Sequence, residues 1–220
     1  MSVLLLLAAS GLAREVIAVE RQGGHYDEIF LLDDDPALQG TAVDGVAVVG
    51  PIALAADGFD GDLLICAGSG QARRSIAHRL AAMGVGSRAF ARVIHPSVEV
   101  PPGCTVGPGC IVLGSVVMTT AVHLHRHVVV MPNVTLTHDD VVSDYATLCA
   151  GVSLGGRVTV EEGAYLGMNA SVRQDVTVGF DSVLGMGAVL LNDLPAGETW
   201  GGVPARSLAR HPDNRKQLVP

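Results

Sequence analysis

The residues best equipped for chemistry stand together in the run Thr137-His138-Asp139-Asp140. Histidine is the one side chain whose ordinary pKa lets a neutral form take up a proton near pH 7, and a neighbouring carboxylate can orient or polarise the ring. An amine or hydroxyl must lose a proton as it attacks an acyl carbonyl. His138, followed directly by Asp139 and Asp140, is the candidate acceptor of that proton.

A second cluster, His123, His125 and His127, lies in Val122-His-Leu-His-Arg-His-Val128. Alternating histidines on a strand could ligate a metal. The local register instead puts His125 beside an inward position rather than opposite His127, which favours interface or solvent-facing side chains. The four cysteines (Cys66, Cys104, Cys110, Cys149) show no ligand spacing either, so no metal is expected, and free thiols suit a reducing cytoplasm.

The element that must position these residues is repetitive. From Ile94 to Leu190 an apolar residue recurs at every sixth position without insertion or deletion, passing through Val130, Leu136, Val142, Leu148 and Leu154. The residue four after each anchor is small almost throughout, as at Cys110, Val116, Val122, Ala146, Val152 and Val158. Neither a helix nor an ordinary strand has this period. A prism does: each hexad supplies one short strand and a corner, three hexads close a turn, and the turns stack as a parallel β-helix. Asp140 falls in the small row, where an unpaired charge would be costly. Either the coil bulges there and lets Asp140 reach water, or the acid has a role in the site.

Ahead of the prism, strand-like and helix-like segments alternate. Val3–Ala8 is a continuous apolar run, too short to span a bilayer and without the basic flank of a signal peptide. It reads as a buried parallel strand, followed by a helix from Leu12 to about Arg21. Further strands are expected at Glu28–Leu32, Val46–Val49, Asp62–Cys66 and Arg88–Ile94, a possible helix start at Pro51–Ala56, and a helix over Gln71–Met83. These make a small parallel α/β sheet. The turn carrying Ser10, Gly11 and Leu12 stands where exposed amides and a helix dipole could hold a pyrophosphate, or it is a tight turn that binds nothing. Asp33 and Asp34, at the end of the second strand, either meet a ribose or base or form a solvated loop.

Composition sets limits. With 49% hydrophobic but only 4% aromatic residues, aliphatic side chains must build the core, and 27 glycines suit tight corners. A net charge of −8 with a single lysine, Lys216, excludes a nucleic-acid surface. Arg206, Arg210, Arg215 and Lys216 make the C-terminal end locally basic.

Taken together, the strand and Ser10-Gly11 turn with the Asp33-Asp34 loop, the entry Ile94-His95-Pro96-Ser97, Leu136-Thr137-His138-Asp139 and the exit Gly202-Val203-Pro204-Ala205-Arg206 resemble the hexapeptide-repeat sugar O-acyltransferases of the sialic-acid O-acetyltransferase type. That family includes N-acetyltransferases of nucleotide-linked 4-amino sugars. The resemblance implies a Rossmann-like domain over residues 1–92 that holds the nucleotide sugar through Ser10, Gly11, Leu12, Asp33 and Asp34. Over 93–220 it implies a left-handed β-helix that forms a homotrimer with sites between neighbours. It further implies acetyl-CoA as co-substrate, with His138 as base and Asp139 assisting. The Gly156 amide, eighteen residues after His138, would face the thioester oxygen, and Met168, Gly185, Met186, Gly187 and Arg206 would line the cofactor's path. Family members commonly carry histidine where this chain has Leu12, asparagine at Met131 and histidine at Thr147, so the acceptor is less defined than the donor. O-acetylation of a sugar, and a metal-binding β-helix of carbonic-anhydrase type, are the alternatives.

Overall fold

The structure is a computed structural model that describes residues 2–58 and 61–208. Arg210, Arg215 and Lys216, expected to make a basic end, lie outside the described residues. The chain opens with β1 (Val3–Leu7), α1 (Gly11–Gly23), β2 (Glu28–Leu32), β3 (Ala42–Val43), β4 (Val46–Gly50), β5 (Asp62–Ile65) and α2 (Gly70–Ala82), and the sheet order is β3-β4-β2-β1-β5. The apolar run of β1 pairs in parallel with both β2 and β5, so Leu4 to Leu7 are buried on both faces of the sheet. Ser10 caps α1 by accepting from the amides of Leu12 and Ala13, and Gly24, at φ 63°, ends it in the left-handed conformation.

Two expectations need correction. A strand over Arg88–Ile94 forms only at Val93–Ile94; a 3-10 turn at Ser87–Ala89 and a single bridge from Phe90 to Leu63 take up the rest. The segment Pro51–Ala56 is a 3-10 turn over Ile52–Ala56 rather than the start of an α-helix. The hairpin of β3 and β4 was not anticipated, although its turn is Asp44-Gly45, both at positive φ, the dipeptide that a tight hairpin prefers.

From Val93 onward the chain winds into a left-handed prism whose three sheets are stacks of parallel two-residue strands with partners eighteen residues apart, except at the exit, where the strand Thr199–Gly201 pairs in parallel with Val183–Leu184 and antiparallel with Arg206–Ser207. From Val106 to Leu190 every sixth-position anchor is buried, as is the small row from Cys110 to Ala188. The turn works because the third residue after each anchor from Val100 to Leu184 adopts a left-handed backbone, for example Asn133, Asp139, Arg157 and Asn169 near 60°. Val100 departs from the pattern and is 36% exposed, with no strand. Pro101 follows it and lacks the N–H that would pair with the coil above.

The sheet rests on one prism face. There the outward residues Ile111, Leu113 and Val129 are buried with Leu4, Leu6, Val16 and Ile17 in one apolar cluster. Burying side chains of this size stabilises by roughly 1.5–3 kcal/mol each. Arg73, fully buried on α2, bolts the joint by donating to the carbonyls of Ala67, Gly68, His127, Tyr145 and Ala146 and to Thr147 Oγ1.

Candidate active site

His138 occupies the prism corner between the strands Thr135–Leu136 and Val141–Val142. Its Nδ1 lies 2.8 Å from Asp139 Oδ2, and both side chains are about half exposed. An Nδ1–H donated to that carboxylate leaves Nε2 unprotonated and able to accept. Asp139 takes the left-handed corner position, φ 62°, a conformation aspartate tolerates better than most residues. One turn on, Gly156 lies directly against the imidazole: a Cβ there would overlap His138 Nε2 and Cε1. The Arg157 amide donates to the His138 carbonyl at 2.9 Å and ties the two turns together, while the Gly156 N–H has no acceptor among the described residues. His138 and Gly156 are thus in direct contact across one turn of the prism, and the glycine's lack of a side chain leaves room for the ring.

Asp140 does not bulge toward water. It is fully buried, its oxygens accept from Thr137 and Val158 amides at 2.8 and 2.9 Å, and burial pushes its pKa up to about 6.

A cavity of about 660 Å³ opens between α1 and the prism. Gly11, Leu12, Arg14, Glu15 and Ala18 line it from the helix side, with Asp44 and Gly68 at its edges. Val129, Met131, Thr147, Cys149, Tyr165 and Met168 line it from the prism. Leu12, Met131 and Thr147, the three departures from the family pattern, thus share one cavity. Arg14 is paired with Asp44 at 2.9 Å at its mouth.

The expected substrate residues divide. Gly11 and Leu12 face the cavity, but the Ser10 hydroxyl is turned back, donating to Cys66 O and capping the helix. Asp33 accepts from the amides of Ala9 and Asp35, and Asp34 accepts from Ile52 N and pairs with Arg79. Neither aspartate lines the cavity. The expected cofactor residues divide as well. Gly156 lies with His138, whereas Met168, Gly185, Met186 and Gly187 belong to the next corner, where Gly187 N donates to Met168 O and both methionines are exposed. Arg206 is exposed on the strand Arg206–Ser207, its guanidinium donating to Ala205 O.

Sequence reasoning missed Arg14, Glu15, Asp44, Gly68, Val129, Cys149 and Tyr165. Arg14 and Glu15 were accessible as exposed positions one turn into α1; the prism residues depend on which of three faces the sheet covers, and the period does not specify that.

The histidines of the second cluster do not converge. His123 Nδ1 lies 2.9 Å from Thr105 Oγ1, while His127 is buried, stacked on Tyr145 at 5.2 Å and edge-on to Phe90 at 4.7 Å. Among the described residues, no three His, Cys, Asp or Glu side chains are grouped to hold a metal ion.

No protein-family model matches the chain. It is 30% identical over 124 residues to GDP-perosamine N-acetyltransferase of Escherichia coli O157:H7, an alignment covering 54% of this chain and about half (56%) of that protein's length. The acetyltransferase domain of PglB from Neisseria gonorrhoeae FA1090, in complex with acetyl coenzyme A, superimposes with a TM-score of 0.85 at 31% identity, over 94% of this chain and 98% of that one. A variant of perosamine N-acetyltransferase from Caulobacter crescentus, in complex with CoA and GDP-perosamine, gives a TM-score of 0.75 at 27% identity, over 95% and 98%. An α/β sheet docked on a left-handed β-helix, matching an acetyltransferase domain at 31% identity over 94% of the chain, defines an acyltransferase of the hexapeptide-repeat class. The chain belongs to the hexapeptide-repeat sugar acyltransferase family.

Proposed function

We propose that the protein is an acetyl-CoA-dependent N-acetyltransferase acting on the amino group of a nucleotide-linked 4-amino-deoxy sugar. The observation that carries this reading is His138 Nε2 poised against Gly156, with Asp139 on the opposite ring nitrogen. The sugar amine attacks the thioester carbon, and its proton passes to His138 Nε2 as the C–N bond forms. The Gly156 N–H donates to the oxygen as it gains charge. The C–S bond then breaks, and the thiolate recovers a proton from the imidazolium.

The cavity beside α1, with the N-terminal end of that helix exposed at Gly11, suits an anionic nucleotide. Within one chain His138 does not line that cavity, and the two lie at different prism corners. We therefore take the working unit to be a homotrimer, in which the cavity of one copy meets the His138 corner of its neighbour. No described helix is long and apolar enough to cross a membrane, and the four cysteines are free, which suits the cytoplasm we assign.

The test is thiol release from acetyl-CoA against GDP-, UDP- and dTDP-linked amino sugars and their hydroxyl counterparts, beginning with GDP-perosamine, which gives one similar protein its name and is bound in the structure of another. Release with an amino sugar alone supports the reading. Release only with a hydroxyl sugar, or with none of the panel, overturns it.

A further inference from the structure

One acid sits where the prism has no general use for one. In the small row that fills the prism, the positions one turn before and one turn after Asp140 are Val122 and Val158, both buried and apolar. The fold is thus built with valine at that position, and a buried carboxylate there carries a desolvation cost. Asp140 Oδ2 accepts from Thr137 N at 2.8 Å and Oδ1 from Val158 N at 2.9 Å. The first amide immediately precedes His138. The second lies two residues beyond Gly156.

The strand ladder changes at this level and resumes on either side. On this corner the residue after each anchor normally donates its amide to the anchor carbonyl one turn on: Thr119 N to Leu136 O at 3.1 Å, Gly155 N to Val172 O at 2.9 Å, Arg173 N to Leu190 O at 3.0 Å. Thr137 does not. Its amide turns inward to Asp140, and its hydroxyl takes the Leu154 carbonyl at 3.1 Å instead. Pairing accordingly stops at Thr135 with Ser153, whereas the turn before continues to Leu136 with Met118 and the turn after to Leu154 with Val172. One ladder bond is opened where His138 passes over Gly156.

We infer that Asp140 is a positioning residue: by gripping the amides beside His138 and beyond Gly156, it opens the ladder between their turns and sets where the imidazole stands relative to the glycine amide. This rests on the reading of His138 as the base. With its pKa near 6 the group is ionised at neutral pH, so both oxygens accept. A displacement of the order of 1 Å between a base and a donor that must address one carbonyl can lower a rate by about 10²-fold without altering ground-state binding.

The variants are Asp140→Val, which restores the residue of the neighbouring turns, and Asp140→Asn, which keeps one accepting oxygen but sets an NH₂ against an amide. Asp140→Val is expected to lower kcat by about 10–100-fold with both KM values within about twofold, and Asp140→Asn to lower it by less than the valine variant but by more than about threefold. A kcat within about threefold of the parent, or both KM values rising along with the loss, overturns the inference; if the valine variant does not fold, the asparagine variant decides by the same criteria. A second readout needs no turnover: the His138 Hε1–Cε1 NMR resonance, assigned by its loss in His138→Gln, shifts in the Asp140 variant, and an unmoved resonance overturns the inference. If the parent releases no thiol with any amino sugar, the functional reading fails, yet the resonance still decides whether Asp140 positions His138.

Discussion

At the scale of single residues, the proposed reaction rests on His138 and Gly156. Truncating a general base removes stabilisation confined to the transition state, so His138→Ala should lower kcat by about 10²–10⁴ with acetyl-CoA affinity little altered. Asp139→Asn should cost less, because the carboxylate only holds Nδ1–H. Retention of parental kcat by His138→Ala on a confirmed substrate would contradict the role. Gly156→Ala forces its methyl group into the ring position; the chain should fold but lose most of its turnover, and unchanged kinetics would mean that the ring does not work where it stands. His138 stood out in the sequence by its type and its acidic neighbours, whereas Gly156 was singled out only through the family resemblance; the structure puts the two in contact. Asp140 was legible only as an anomaly. Sequence shows a charge in an apolar row, but whether that charge escapes to water or finds two amides depends on how the coil opens. Ser10, Asp33 and Asp34 show the opposite limit: their types suit a phosphate or ribose, and their own backbone neighbours had already claimed them.

At the scale of elements, the hexad period fixed the prism because each anchor must fill a corner from inside, and burial from Val106 to Leu190 follows it position by position. It could not show that the third residue after each anchor turns left-handed, since glycine, asparagine, aspartate, arginine and tyrosine all stand there. The contact between sheet and prism was equally hidden. It centres on Arg73 and on His127, whose buried ring has an Nδ1 without a partner among the described residues and a pKa held down to about 4, first by burial and then by Arg73. Below its ordinary pKa of about 6.5 the unfolded chain binds a proton that folded His127 refuses, so its contribution to stability is lost as pH falls from about 6.5 to 4. Asp140 acts with the opposite sign: folded, it holds a proton below about 6 that the unfolded chain releases down to about 3.9, so it favours folding as pH falls through that window. His127→Asn, which tolerates the left-handed backbone, should therefore lose less Tm than the parent between pH 6.5 and 4.5, and Asp140→Val should lose more. Parallel Tm–pH curves for all three would contradict both assignments. Replacing Arg73 by Met should destabilise by about 3–5 kcal/mol, read by denaturant unfolding, because carbonyls buried at the joint lose their donor; a loss below about 1 kcal/mol would mean that the joint does not depend on it.

At the scale of the molecule, the cavity beside α1 and the His138 corner lie apart on one chain, and in the proposed trimer a neighbouring copy brings them together. The most direct measurement is complementation between two inactive variants. His138→Ala leaves the cavity intact. Gly11→Glu leaves His138 intact and sets a carboxylate at the start of α1, where a Cβ meets nothing within 4 Å and the helix dipole favours the acid, but where it repels a phosphate. Each alone should be nearly inactive in thiol release. Co-expressed in equal amounts and mixing at random in trimers, they should recover about one quarter of parental activity, because half of the cavities are intact and half of those face an intact His138. Activity no greater than the sum of the two variants alone, in trimers shown to contain both chains, would contradict a site shared between copies.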